Sequence, residues 1–419
     1  MGAIAGQELS DALPLGLWNE GEAEARALSA LCAALALGAL GVLGFELATR
    51  RRVRGSGVLL GLVAAGLLLE ALLGVLDVTL VSRGAAVLGG PYREVPGPAG
   101  PVTLKKPHAG SPHGFRTTNP YPKQGPNPRL LFLGDSYTEG SGRAAACNYP
   151  EVAGAVLAET LGRPVDVLNA GVAGYGPRDA LRLLELLTAE GYAYDAIVYG
   201  LFLENDFTDN LPGTERRVVA GINFRFPESG FLRAFHPLNT RTFRYALFFE
   251  RTSGFLRGNG QEVRRDEGAC DLAPTPLERI PDALRELVLR RLEANYAPGA
   301  VTADAEVAEA VDGMRRIAGG RGVPFVLVVF PDRVLVDPDL RAALGLESGL
   351  RGYEANRLRD LARERFGQTL VVDTMLALRA GSENFRPDDT HLSDLGNLRV
   401  GRRVGRLLAQ ALPRVGFDL

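Results

Sequence analysis

Lysine is nearly absent from this chain of 419 residues. It occurs only at Lys105, Lys106 and Lys123, and arginine carries almost all the remaining positive charge. That bias, shared with Ala, Gly and Leu, reads as a GC-rich genome and says nothing of function. Neither sign of charge is in excess, since 47 basic against 49 acidic residues leave a formal net charge of -2, and this balance speaks against a nucleic-acid binder. Cysteine is scarce as well. Cys32, Cys147 and Cys270 lack any C-x-x-C spacing, so neither a zinc site nor a thioredoxin-like motif is signalled. Cys147 and Cys270 either pair, if this part of the chain meets an oxidising compartment, or stay as thiols. Residues 1–26 are polar and acidic, which leaves out the basic leader of a cleavable signal peptide. There are no internal repeats and no low-complexity tail. The loop from Gly171 to Gly176 does not have the Gly-x-Gly-x-x-Gly spacing of a dinucleotide site. His108 and His113 have no carboxylate or cysteine cluster near them. No metal and no organic cofactor is therefore expected.

Long apolar runs are present, and they lie near the start. Ala27 to Phe45 carries no charge, about the length that crosses a bilayer as a helix. After Arg50, Arg51, Arg52 and Arg54, a second apolar segment runs from Gly57 to about Val81, broken by Glu70 and Asp77. Glu70 either marks a buried site between helices or faces the partner helix or a polar group on the domain that follows. Residues 27–82 are thus expected to form a two-helix transmembrane hairpin. Its arginine-rich loop would stay inside, leaving the rest of the chain on the outer face of the inner membrane. Residues 83–128, rich in Pro and Gly, read as an extended linker.

From residue 129 to 419, short apolar runs alternate with helical patterns, the signature of a parallel α/β sheet with helices on both faces. The expected strands are Leu130 to Leu133, Val165 to Leu168, Ala196 to Phe202, Phe325 to Phe330 and Leu370 to Val372. Pro150 and Pro177 suit helix starts, Gly162, Gly191 and Gly367 suit helix ends, and a last helix covers Leu395 to Leu412. An insertion at about 207–299 breaks the alternation, and its first half mixes aromatic residues such as Phe224, Phe226 and Phe231 with Arg216, Arg217 and Arg225. It reads either as a lid that grips an anionic or lipidic substrate or touches the membrane surface, or as an inserted subdomain with a small core of its own.

Four of these strands are followed by polar signals: Gly134-Asp135-Ser136, Asn169-Ala170-Gly171, Asn205-Asp206 and, after a short loop, Asp388-Asp389-Thr390-His391. Parallel strands bring all four to one sheet edge, where open α/β sheets bind ligands. The residue types suit ester cleavage. A serine hydroxyl attacks only when a base takes its proton, and His391 can do so near neutral pH. Asp388 can hold the imidazole in one tautomer, whereas Asp389 adjoins it at a different spacing. Ser136 N–H, Gly171 N–H and the Asn205 amide can stabilise the oxyanion without adding charge.

This set resembles the SGNH (GDSL-type) hydrolase family, over roughly Arg129 to the C-terminus and outside much of the insertion. The resemblance implies a flavodoxin-like three-layer α/β/α sandwich with a five-stranded parallel sheet. It also implies that Ser136 is the nucleophile, Asp388 and His391 complete the triad, and Gly171 and Asn205 complete the oxyanion hole. Tyr137 stands where the family has leucine, which is expected to alter a packing contact. Leu203 replaces the glycine of the third block and bears on the shape of the acyl pocket. The serine is not in the Gly-x-Ser-x-Gly context of a nucleophile elbow. The expected function is a membrane-anchored serine esterase acting on acyl esters of an envelope glycan or lipid. The alternatives are an O-acyltransferase working on a surface polysaccharide and a non-catalytic envelope binding protein.

Overall fold

The computed structural model describes residues 92–105, 111–140, 144–209, 211, 214–219, 222–227, 270–273, 280–346, 350–367, 369–379, 381–387 and 389–411, with single helical positions between 49 and 72. The chain divides into two compact units, one of residues 1–93 and 213–261 and one of residues 94–212 and 262–419. In chain order the strands are β1 (Tyr92–Gly97), β2 (Gly100–Lys105), β3 (Arg129–Leu133), β4 (Asp166–Asn169), β5 (Ala196–Phe202), β6 (Thr214–Val219), β7 (Ile222–Pro227), β8 (Phe325–Phe330) and β9 (Leu370–Asp373). The helices are α1 (Ser136–Glu139), α2 (Tyr149–Leu161), α3 (Pro177–Ala189), α4 (Asp206–Asp209), α5 (Asp282–Tyr296), α6 (Asp304–Gly320), α7 (Arg333–Val336), α8 (Pro338–Ala343), α9 (Arg357–Phe366), α10 (Met375–Leu378) and α11 (Asp394–Ala411).

In the first unit, β6 and β7 form an antiparallel hairpin in which Thr214 faces Pro227 and Val219 faces Ile222. The second unit is built on a parallel sheet of strand order β4-β3-β5-β8-β9. That is the doubly wound order with the reversal at β3, so the carboxyl ends of the strands share one edge. The three central strands β3, β5 and β8 are buried along their whole length. Continuous apolar runs such as Phe-Val-Leu-Val-Val-Phe are what a strand covered on both faces requires. On one face Tyr149, Ala153 and Leu157 of α2 and Val400, Val404 and Leu408 of α11 join Leu130, Phe132 and Val198 in the core. α3 and α6 pack against each other as a second helical pair.

The α/β sandwich with five parallel strands is thus present, and two expectations need correction. A membrane span needs about 20 consecutive apolar residues in one helix. Among the described residues no helix is long and apolar enough to cross a membrane; the longest, α6 and α11, carry charged residues along their length. The expected transmembrane hairpin is therefore not supported, and most of residues 27–82 lie outside the described residues.

The stretch read as a linker is also different. β1 and β2 pair, and Val102, Leu104, Phe115 and Tyr121 are buried. Tyr121 donates its hydroxyl to Ala193 O at 3.0 Å and stacks under the Arg129 guanidinium, 4.1 Å away. Proline and glycine there shape a wrapping segment whose few apolar residues find the core. Residues 83–91 and 106–110, and residues 228–269 of the insertion with most of its aromatic and basic side chains, lie outside the described residues.

Candidate active site

Ser136 stands where β3 hands over to α1. Gly134 turns the chain at φ 151°, and a Cβ there would lie 2.2 Å from Thr138 Oγ1, so the turn requires glycine. Asp135 caps α1, its Oδ1 accepting the Tyr137 N–H at 2.9 Å. As the first residue of α1, Ser136 presents one of the N–H groups that a helix leaves without an intrahelical partner.

His391 Nε2 lies 2.7 Å from Ser136 Oγ, and His391 Nδ1 lies 2.8 Å from Asp389 Oδ2. Both ring nitrogens are thereby engaged. Asp388, expected as the histidine's carboxylate, lies outside the described residues, and the carboxylate on Nδ1 is Asp389. The reason is a local turn in which Asp389 Oδ1 accepts the Thr390 N–H at 2.6 Å. The same oxygen lies 3.4 Å from the His391 N–H, the Asx-turn arrangement, and the second oxygen meets Nδ1 of that histidine.

The electrostatics follow from this packing. Burial pushes the Asp389 carboxyl up, but His391, the Arg386 guanidinium 3.2 Å away and the Thr390 N–H together hold it well below the usual carboxylate range. Burial pushes the His391 imidazolium down, and Arg386 opposes it too. Asp389, helped by Asp135, outweighs both and raises the pKa above the ordinary value. Asp135 itself is pushed up to about 6 by burial, against the Tyr137 N–H, His391 and Asn205.

The expected oxyanion donors converge only in part. A Cβ on Gly171 would lie 2.3 Å from Glu139 N, so the second polar loop presses its backbone onto α1 and only glycine fits. Its N–H is already donated to Asn169 Oδ1 at 3.1 Å. Asn205 follows β5 in a turn fixed by Asp206, whose Oδ2 accepts from Phe202 N–H at 2.9 Å and Tyr199 hydroxyl at 3.2 Å. The Asn205 side chain lies beside Asp135. An amide group has two N–H donors, so one bond to Asp135 leaves a second for an oxyanion.

Three further residues at this edge have polar roles that the sequence pattern did not show. The Tyr137 hydroxyl donates to Thr390 O at 2.5 Å, and its ring sits 3.9 Å from that of Phe202, so the expected packing change is also a polar hold on the histidine loop. Arg333, after β8, donates Nη1 to Arg386 O and Asp389 O, each at 2.6 Å. Glu204, next to Asn205, pairs with Arg291, and its carbonyl accepts from Asn295 Nδ2 at 2.7 Å. Burial, reinforced by Glu204, raises the neighbouring Asp332 well above the usual carboxylate range. Leu203 is fully buried with its N–H on Phe330 O, so it belongs to the core.

Among the described residues no group of three or more His, Cys, Asp or Glu is placed to hold a metal ion. His108 lies outside the described residues, and His113 Nε2 pairs with Glu190 at 2.8 Å. Cys147 and Cys270 form a disulfide with their Cα atoms 5.6 Å apart.

No protein-family model and no curated protein matches the chain. Among solved structures, a lipolytic protein of the G-D-S-L family from Desulfitobacterium hafniense is 13% identical, covering 67% of this chain and 100% of its own, with a TM-score of 0.31. A catalytic mutant of an acetylxylan esterase from Geobacillus stearothermophilus is 14% identical, covering 71% and 98%, with a TM-score of 0.31. A carbohydrate acetylesterase family member from Sinorhizobium meliloti is 19% identical, covering 69% and 98%, with a TM-score of 0.28. Likenesses this weak carry no weight for the chemistry of the chain, which rests on the geometry of its own residues.

Proposed function

We propose that this protein is a serine esterase of the SGNH type that cleaves acyl esters, acetyl and other short acyl groups first, through an acyl-enzyme. The observation that carries the reading is the unbroken chain Ser136 Oγ, His391, Asp389, with contacts of 2.7 and 2.8 Å. Ser136 Oγ attacks the ester carbonyl carbon while His391 Nε2 takes its proton, and Asp389 holds the imidazole in the Nδ1–H tautomer. Negative charge collects on the carbonyl oxygen, where Ser136 N–H and the Asn205 amide act as donors, the Gly171 N–H being held by Asn169 Oδ1. The intermediate collapses, the ester C–O bond breaks, and the leaving alkoxide takes the proton from His391. Water, deprotonated by the same histidine, then attacks the acyl carbon, and Ser136 leaves with its proton restored.

The substrate class we favour is an acyl ester of an envelope glycan or lipid. The Cys147–Cys270 disulfide supports an oxidising compartment outside the cytoplasm. Acyl transfer to a sugar hydroxyl shares the first half-reaction. The test is release of p-nitrophenol from acetate and longer-chain esters by wild type, Ser136→Ala and His391→Ala, with and without a glycan acceptor. Turnover lost in both variants supports the reading, and acceptor-dependent turnover selects transfer. A folded wild type inert towards every ester and acceptor contradicts both.

A further inference from the structure

We propose that Arg333 and Tyr137 are positioning residues for the base, clamping the loop that carries Asp389 and His391 onto the ends of β8 and β3. The proposal rests on the esterase reading above and deepens it by naming what sets the geometry of the histidine and its carboxylate.

The loop is closed on itself, with Arg386 N–H on His391 O at 2.9 Å and Phe385 bridged to Leu392. Closure alone leaves it free to swing as a unit. Three of its carbonyls are instead held from outside: Arg386 O and Asp389 O by Arg333 Nη1, and Thr390 O by the Tyr137 hydroxyl. Those carbonyls belong to Asp389 itself, to the arginine that contacts its carboxylate, and to the residue just before His391. The two holding groups come from different strand ends, so the loop is fixed at two points.

Both side chains are themselves locked. Arg333 is 1% exposed, its Nε donates to Asp337 Oδ2 at 2.9 Å, and its guanidinium carbon lies 5.2 Å from the centre of the Phe385 ring. Asp337 is in turn committed to capping α8 through Leu340 N–H at 3.0 Å. A buried ion pair of this kind is often no more stabilising than two apolar side chains of the same volume. An apolar pair could not hold two carbonyls at once, nor could a lysine reproduce the planar fork that serves Asp337 and the loop together. Tyr137 is packed between Phe202 and Phe330, with ring centres 3.9 and 5.3 Å away.

The charged and titratable groups facing His391 are Asp389 and Arg386 from its own loop and Asp135 from the turn after β3, with the Tyr137 ring 5.4 Å away on α1. Loosening the clamp withdraws Asp389 first. The imidazolium then loses its main support, and the acidic limb of the pH–rate profile moves to lower pH.

The experiment uses the full chain and p-nitrophenyl acetate, comparing wild type with Tyr137→Phe, which deletes only the hydroxyl, and Arg333→Lys. The expected result is a fall in kcat of about 10- to 100-fold with KM changed less than about twofold, and an acidic limb shifted to lower pH. Adding either substitution to Asp389→Asn costs less than it does in wild type, because part of each effect passes through that carboxylate. Unchanged kcat and limb in a folded Tyr137→Phe protein overturns the clamp, as does a loss that multiplies on top of Asp389→Asn. Should Arg333→Lys not fold, Tyr137→Phe decides alone. An inert wild type removes the esterase reading and the clamp with it, whereas an active wild type with insensitive variants removes only the clamp.

Discussion

At the scale of single residues, the account turns on which carboxylate serves His391. Because Asp389 Oδ2 sits on Nδ1, Asp389→Asn is predicted to lower kcat by on the order of 10⁴-fold, as loss of the correct tautomer does, while Asp388→Asn stays near wild type. Steady-state kinetics on one ester separates the two. The His391 shift has a sign that can be checked: neutral imidazole is the base, so the acidic limb of kcat/KM is expected above the ordinary histidine value of about 6.5. Asp135 offers a stability test. Its folded pKa is raised to about 6, so its contribution is fully present below the unfolded value and lost as pH rises through the folded one. Asp135→Asn, which keeps the helix cap, is predicted to raise Tm at pH 8 and to leave it nearly unchanged at pH 4. Ser136 and His391 were legible in the sequence because each follows a strand in a recognisable motif. Asp389 was not, since a side chain folding back over its own turn decides between two adjacent aspartates. Tyr137 and Arg333 bind carbonyl oxygens, a role that any residue's backbone can receive and that therefore leaves no spacing to read.

At the scale of elements, the central strands were legible because burial on both faces demands an unbroken apolar run. β5 and β8 carry such runs, and their bounds coincide with those read from the sequence. β4, at the edge, lies one residue later than the sequence placed it, at Asp166–Asn169 rather than Val165 to Leu168. The segment before β3 was misread for the opposite reason. Its prolines and glycines are many, and the few apolar residues that dock it, such as Leu104 and Phe115, have no periodicity. The contact of the second polar loop with α1 gives the test at this scale. Gly171→Ala must displace Glu139 N, which would stand 2.3 Å from the new carbon, at a cost of about 1–3 kcal/mol. A lower Tm together with reduced kcat is the expected result, and wild-type values for both would contradict the packing.

At the scale of the whole molecule, the disulfide joins residues 123 apart and ties the chain after α1 to the chain returning from the insertion. Asp271 N–H adds a bond to Asp394 Oδ2 at 2.7 Å, at the head of α11. Reduction is predicted to lower stability by about 2–5 kcal/mol, read as a fall in Tm with dithiothreitol. Unreduced, denatured protein should show a single labelled thiol, at Cys32. The sequence could offer the pairing only conditionally, because two cysteines so far apart become neighbours through the fold alone. The measurement that tests the central claim most directly is mass spectrometry of the full chain after a fluorophosphonate probe. A single adduct on Ser136, abolished by His391→Ala, is the predicted result. A folded protein that stays unlabelled at Ser136 while hydrolysing no ester would contradict the serine mechanism.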